Sequence, residues 1–288
     1  MFKNAIEIIT MKKTVLLGLS VALLASCAKS PTGRHQVLLH SPGQLNTMGA
    51  QSFEQMKEQQ TISFDKSVNE FVQCVANAIT PNVDSKVHKG SWEVVVFDSE
   101  QINAFALPGG KIGVYTGILN VTENAGQLAA IIGHEVGHVI AQHSNERLSS
   151  TQLSQVGLVV AGATMAASDV DNKALILAGL GLGVQYGILM PYGRAHETEA
   201  DIIGQKLMAV SGFDPRESVA LWQNMAKQGN GAPPEFFSTH PSNQTRINGL
   251  SKNLASTEPL YAQRRITPNC NKPKSPTPKA KDATAAKP

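Results

Sequence analysis

The sequence predicts an α+β fold, mainly α-helical, with one small β-sheet and a long apolar helix that bears two histidines and a glutamate. Three observations lead to it. Aromatic residues are only 5% of the chain, whereas alanine and glycine are plentiful, a composition of closely packed helices rather than of a large β-sandwich. Runs of β-branched and apolar residues at strand length are confined to the stretch from Trp92 to Tyr115. From Glu123 onwards the apolar residues recur at helical spacing. A chain of 288 residues supports one sizeable core, or two domains at most.

The N-terminus reads as a leader rather than as part of the fold. Lys12 and Lys13 form a basic start, with Met11 as a candidate first residue. Residues 14–24 are an apolar run, and Ala25 and Ser26 are small residues before Cys27. The run is short for a membrane span. Leu24-Ala25-Ser26-Cys27 resembles a bacterial lipobox, whose cysteine becomes the lipidated first residue of the mature chain. An ordinary leader followed by an incidental cysteine is the alternative. Ala28 occupies the position where inner-membrane retention signals carry Asp, so the resemblance implies the outer membrane. The expectation is a leader at 1–26, a lipidated tether at 27–40 and anchoring at the cell outer membrane, facing the periplasm.

Cutting after Ser26 removes Lys3, Lys12 and Lys13 from 25 basic residues and Glu7 from 22 acidic ones, leaving 22 against 21. So balanced a charge gives no reason to expect a nucleic-acid partner. Two cysteines then remain, Cys74 and Cys270. In an oxidising compartment they are expected to pair, with two buried thiols as the alternative.

The folded domain is expected over residues 41–265. Ser41-Pro42 reads as an N-cap followed by proline in the first turn, opening a helix to about residue 60. A second helix covers about 65–79, with Phe71, Val72, Val75 and Ile79 on its apolar face. Residues 92–97, 103–107 and 111–115 read as strands, the last two joined by the Pro108-Gly109-Gly110 turn. One long helix is expected over 123–149. Residues 152–167 and 174–190 are apolar and rich in glycine and alanine. The second is interrupted only by Gln185, and it reads as a buried or surface-apposed helix rather than a membrane span. Helices over about 193–211, 214–228 (after Asp214-Pro215) and 242–253 complete the domain. Residues 266–288 are rich in Pro, Lys and Ala and are expected to be disordered.

His134-Glu135-Val136-Gly137-His138 carries the chemistry. Histidines four apart on a helix project from one face, one turn apart, and can share one Zn²⁺. Glu135, beside the first ligand, can take a proton from a water activated there. The pentapeptide alone is moderately specific. Its setting adds weight, because Leu128, Ile131, Ile132, Val136, Val139 and Ile140 surround polar side chains that need a reason to sit there. Gly133 and Gly137 weaken a helix but permit close approach of a metal, a substrate or another helix. His143 is a ligand by type but lies 140° around the helix from His138, so it reads as a solvated histidine. A third ligand is better sought in Arg194-Ala195-His196-Glu197-Thr198-Glu199-Ala200-Asp201. Glu197 and Asp201 share a face, one to bind metal and the other to bond the outer nitrogen of a ligand histidine. Spacing alone does not separate Glu197 from Glu199.

Taken together, HEVGH and the R-x-x-E-x-E-A-D-x-x-G stretch from Arg194 to Gly204 resemble the zincin metallopeptidase family of the CAAX prenyl endopeptidase and HtpX. The exported lipoprotein branch typified by LoiP and BepA is the nearest likeness. The resemblance covers about residues 40–255 and includes Asn103-Ala104-Phe105-Ala106-Leu107-Pro108-Gly109-Gly110, Thr239-His240-Pro241 and Arg246. It implies a zincin-like domain with one zinc per chain, held by His134, His138 and Glu197. Glu135 is then the base and Asp201 the support of a ligand ring. Asn103, Ala104 and Phe105 become a substrate-binding edge that takes the peptide backbone by β-addition. His240 would stabilise the oxyanion or cap the zinc in a latent state, with Arg246 supporting it. His196 is expected to face elsewhere. The tetratricopeptide arm of some members has no counterpart here, and the segments matching membrane helices are shorter and glycine-rich.

The expected function is zinc-dependent endoproteolysis of misfolded or misassembled periplasmic and outer-membrane proteins, with outer-membrane assembly machinery as a further partner. The alternatives are a chaperone-like or latent assembly factor that rarely cuts, and a structural zinc protein. The last is disfavoured because neither spare cysteine lies near the motif.

Overall fold

The computed structural model describes residues 27–167, 171–184, 190–227, 240 and 244–273. The expected leader, Gln185, Thr239, Pro241 and residues 274–288 of the expected tail lie outside the described residues.

Two short antiparallel strands open the chain, β1 (Cys27–Lys29) and β2 (His35–Val37), with Cys27 opposite Val37. Helix α1 (Pro42–Gln59) starts with a capping box. The Ser41 hydroxyl accepts the Gln44 amide, and the Gln44 side chain accepts the Ser41 amide. The Asp65 carboxylate caps α2 (Lys66–Ile79), whose apolar face is buried as its spacing predicts. Strands β3 (Glu93–Phe97), β4 (Ala104–Leu107) and β5 (Lys111–Tyr115) form one sheet in the order β3-β5-β4, with β3 parallel and β4 antiparallel to β5. Helices α3 (Ala125–Ile140), α4 (His143–Ala166), α5 (Lys173–Val184), α6 (Met190–Val210), α7 (Arg216–Lys227) and α8 (Gln244–Ala262) follow. The mainly helical α+β architecture is therefore as expected, with α8 running well past its expected end.

Helix α3 is the axis of the domain. It is buried from Gln127 to Val139 and packs against β4, α2, α6 and α7. Its glycines resolve which close approach they serve: that of another helix. A Cβ on Gly137 would stand 2.9 Å from the Ala200 carbonyl oxygen, and one on Gly204 would stand 2.6 Å from the His134 amide nitrogen. Helices α3 and α6 thus meet backbone to backbone, which brings the polar residues of α6 onto the histidines of α3.

Three expectations are corrected. The helix expected over 123–149 breaks after Ile140: Ala141 ends α3, and Gln142 takes a left-handed conformation (φ 55°) that turns the chain into α4. A phase computed along one continuous helix therefore misplaces His143, which is fully buried rather than solvated. Residues 27–37 are not a loose tether. Ser30 and Gln36 are buried, and the Gln36 amide donates to the Ala141 carbonyl (2.7 Å) and to Glu146 (2.8 Å). Residues 266–273, expected to be disordered, are ordered. Cys270 is buried with its Sγ 2.00 Å from that of Cys74, and the Lys272 ammonium donates to the Thr122 carbonyl.

The far half of α4 and the start of α5 are not buried: Val159 is 71% and Leu175 73% exposed. Among the described residues, no helix is long and apolar enough to cross a membrane.

Candidate metal centre

Helix α3 contributes His134, Glu135 and His138, α6 contributes Glu197 and Asp201, and α8 contributes Arg246, with His240 arriving just before α8. Four of these groups converge: His134, His138, Glu197 and His240 offer donor atoms that all lie within 4.8 Å of one another. His134 Nε2 is 3.1 Å from His138 Nε2, 3.3 Å from Glu197 Oε2 and 3.3 Å from His240 Nδ1. His138 Nε2 is 3.4 Å from Glu197 Oε1, and His240 Nδ1 is 3.0 Å from Glu197 Oε2.

These spacings fit a divalent metal. Ligand bonds of about 2.0–2.1 Å around a tetrahedral zinc put donor atoms about 3.3 Å apart. Each of the three imidazole nitrogens and the carboxylate can turn a lone pair towards a shared ion. Glu135 adds a second sign. Its Oε1 is buried without a hydrogen-bond partner and lies 3.4 Å from His240 Nε2. That is where a carboxylate awaiting a water would stand. Burial raises the Glu135 pKa above the ordinary carboxylate value, despite the opposing charges of His240 and His134.

Asp201 lies behind His134, its Oδ1 3.0 Å from Nδ1. A carboxylate there holds the proton on Nδ1 and leaves Nε2 free to bind metal. Arg246 fixes that carboxylate, donating from Nε (2.8 Å) and Nη2 (2.6 Å), and its Nη1 reaches Glu197 Oε2 at 3.0 Å. Its guanidinium lies 3.9 Å from the centre of the Trp222 ring. Arg246 thus braces the two α6 carboxylates, and it shares Glu197 Oε2 with His240 Nδ1. Burial alone would raise Glu197, but its bonds to His134 and His240 outweigh that and hold it far below the usual range.

Beside the centre, β4 has β5 on one side only among the described residues, so its other edge carries unpaired backbone groups. Asn103 sits at its entrance, its side chain accepting the Ala104 amide, and Ala104 is buried. The Phe105 ring stacks at 6.1 Å on Phe97 and edge-on at 6.1 Å on Phe53. Only its backbone can serve an edge. A cavity of about 190 Å³ opens next to His138, lined by Leu45, Val87, Pro108, Val139 and Ile140 among others.

A second polar cluster backs onto the first and was not foreseen. His143 Nδ1 lies 2.8 Å from His138 Nδ1, and His143 Nε2 lies 3.1 Å from Glu199 Oε2. His196 stacks on His143 (4.1 Å between ring centres) with its Nε2 3.0 Å from Glu146 Oε2. Arg34 closes the cluster, with two bonds to Glu146 (2.6 and 2.7 Å) and two to Glu199 (2.9 and 3.2 Å). Burial opposes ionisation of both glutamates. Arg34 and His196 nevertheless hold Glu146 down to about 2, and Ser30, Thr32, His143 and Arg34 do the same for Glu199. Burial, then the neighbouring His196, lowers His143 to about 4. His196 thus does face elsewhere, as expected, but into a buried cluster rather than solvent.

A pair of helical histidines with an adjacent buried glutamate, closed by a carboxylate from a facing helix, is the donor set of a metal-dependent hydrolase of the HExxH class. Residues 66–254 match the model of peptidase family M48, and the chain belongs to that family. It is 35% identical over 209 residues to the mitochondrial metalloendopeptidase OMA1 of Saccharomyces cerevisiae, covering 69% of this chain and 58% of that one. It is 31% identical over 232 residues to the mitochondrial metalloendopeptidase OMA1 of Homo sapiens, covering 77% and 44%. The beta-barrel assembly-enhancing protease of Yersinia pestis is 28% identical over 234 residues, covering 76% and 47%. The chain spans about half the length of the curated relatives it matches.

The expected outer-membrane, lipid-anchored location is corrected by these relatives. Those matching at higher identity are mitochondrial by name. The match to the family begins at residue 66, so it does not include the leader on which that expectation rested. Of that segment's lipobox only Cys27 is described, as the first residue of β1.

Proposed function

We propose that this chain is a zinc-dependent endopeptidase that hydrolyses internal bonds of unfolded or misassembled proteins. The observation that carries the reading is the meeting of His134 Nε2, His138 Nε2 and Glu197 at ligand spacing, with the buried Glu135 Oε1, which accepts no hydrogen bond, beside them. His134, His138 and Glu197 hold the metal. When bound there, zinc supplies Lewis acidity, polarising the scissile carbonyl and lowering the pKa of a water to about 7. Glu135 accepts the proton of the attacking water and delivers it to the leaving amine, a role that its raised pKa favours. The edge of β4 that has no strand beside it among the described residues takes the substrate backbone as an added strand, which requires an extended, unfolded segment. The cavity beside His138 takes an apolar side chain. The name of the Yersinia pestis relative, a beta-barrel assembly-enhancing protease, supports a link between this activity and β-barrel assembly.

His240 favours a second, compatible reading, in which the enzyme is held latent. Its Nδ1 stands at the fourth corner of the cluster, which a catalytic zinc keeps open for water or substrate. His240 must withdraw before a peptide is cut.

The test is zinc content and casein degradation by the purified chain. The expected result is one zinc per chain, with cleavage abolished by chelation, restored by zinc and reduced about 10²–10⁴-fold in Glu135→Gln with zinc retained. Faster cleavage by His240→Ala establishes latency. Zinc binding with no cleavage by either the wild type or His240→Ala leaves the chaperone-like alternative, and absence of zinc refutes the reading.

A further inference from the structure

His138 shows its two ring nitrogens to different neighbours. Nε2 faces the metal cluster, whereas Nδ1 lies 2.8 Å from Nδ1 of His143. One proton must stand between those two Nδ1 atoms, since two lone pairs would repel. A His138 that gives its Nε2 lone pair to a metal carries its proton on Nδ1 and so donates to His143. His143 then accepts at Nδ1 and carries its own proton on Nε2. That proton has an acceptor in place, Glu199 Oε2 at 3.1 Å. The opposite assignment would turn a bare imidazole nitrogen towards a carboxylate, with no proton between them.

The rest of the cluster keeps His143 in this state. Its ring is fully buried and stacked on His196, so it cannot turn over freely. Glu199 is immobilised by the Thr32 hydroxyl (2.6 Å) and by Arg34, both from the turn between β1 and β2. The same Arg34 is bidentate to Glu146, which holds His196. His134 receives its carboxylate directly, from Asp201. His138 receives one at a distance, through a second imidazole.

We propose that His143 is the positioning residue of the ligand His138, and that the N-terminal hairpin holds it in place through Arg34 and Glu199. The hairpin thereby belongs to the metal centre through Glu199 and His143. This inference rests on the zinc reading above.

The test is the zinc affinity of the full chain, by competition with a chromophoric chelator, alongside circular dichroism of the metal-free protein. His143→Ala is expected to weaken zinc about 10–100-fold with the metal-free fold retained. His143→Gln should recover most of that loss, because its amide can accept from His138 and donate to Glu199. A packing role alone would lower thermal stability in both variants and leave the affinity of the folded chain unchanged. A second readout needs no variant: ring-nitrogen NMR of the zinc-loaded wild type should find His143 protonated on Nε2 only. Affinity within twofold of wild type in His143→Ala, equal loss in both variants, or an Nδ1-protonated His143 overturns the proposal and leaves the zinc reading standing. A wild type that binds no zinc overturns both.

Discussion

Two clusters of histidine and glutamate lie back to back and share helix α6, one facing α3 and the other α4, and they solve the same electrostatic problem in opposite ways. In one, His134, His138, Glu197 and His240 converge on a common point. In the other, His143, His196, Glu146 and Glu199 surround Arg34, whose guanidinium bonds both carboxylates. Burying two glutamates demands a compensating cation. The outer cluster contains its own, supplied by the chain. The inner one has Arg246 at its margin only, on Asp201 and one oxygen of Glu197, while imidazole nitrogens face each other across its middle. Residue type therefore does not distinguish a metal site from a structural network; the position of the resident cation does.

The sharpest way to break this contrast is to remove one glutamate from each cluster. Glu197→Ala is expected to abolish zinc retention after dialysis and all measurable proteolysis. Glu199→Ala should keep zinc, bound about tenfold more weakly, and keep activity. Metal analysis of the two variants checks this, and similar losses in both would remove the distinction. Next in size is Arg34→Gln, expected to destabilise the fold by about 3 kcal/mol at pH 7, since it leaves buried carboxylates unpaired. The sign with pH follows from Glu146 and Glu199. Both are held near 2 in the folded chain, below their unfolded value of 4.5. Their contribution is complete above about pH 4.5 and disappears as pH falls towards 2. Urea unfolding of wild type and variant should therefore show the gap narrowing between pH 4.5 and 2. The smallest effect is expected from Gly204→Ala, where a Cβ would crowd the His134 backbone. Overpacking there should cost about 2 kcal/mol, measured by thermal melting, with zinc affinity lowered as α6 is pushed from α3.

Much of this architecture was legible. The β-branched and apolar runs marked β3, β4 and β5, and Ser41-Pro42 marked the start of α1, because capping and strand propensity act locally. The helix break at Ala141-Gln142 was not, since neither residue is a glycine or proline and only tertiary packing sustains a left-handed glutamine. That single omission hid His143, and with it the outer cluster. The hairpin at 27–37 was missed because three-residue strands carry no readable alternation. Spacing left Glu197 and Glu199 unseparated, although a signal was present. Ala200 and Gly204 lie three and seven residues after Glu197, so the small residues that let α6 press on α3 share the face of Glu197. Glu199 points nearly the other way, to the hairpin.

The candidate metal centre is drawn from widely separated parts of the chain: two proposed ligands and the proposed base from one helix, the third proposed ligand from α6 and its brace Arg246 from α8. A ribosome releases these in order. The helix carrying His134, Glu135 and His138 emerges first, and Glu197 follows roughly 60 residues later, about 3–12 s at ordinary synthesis rates. Until then the nascent chain owns two of the three proposed ligands, so the proposed activity would begin only after α6 is made.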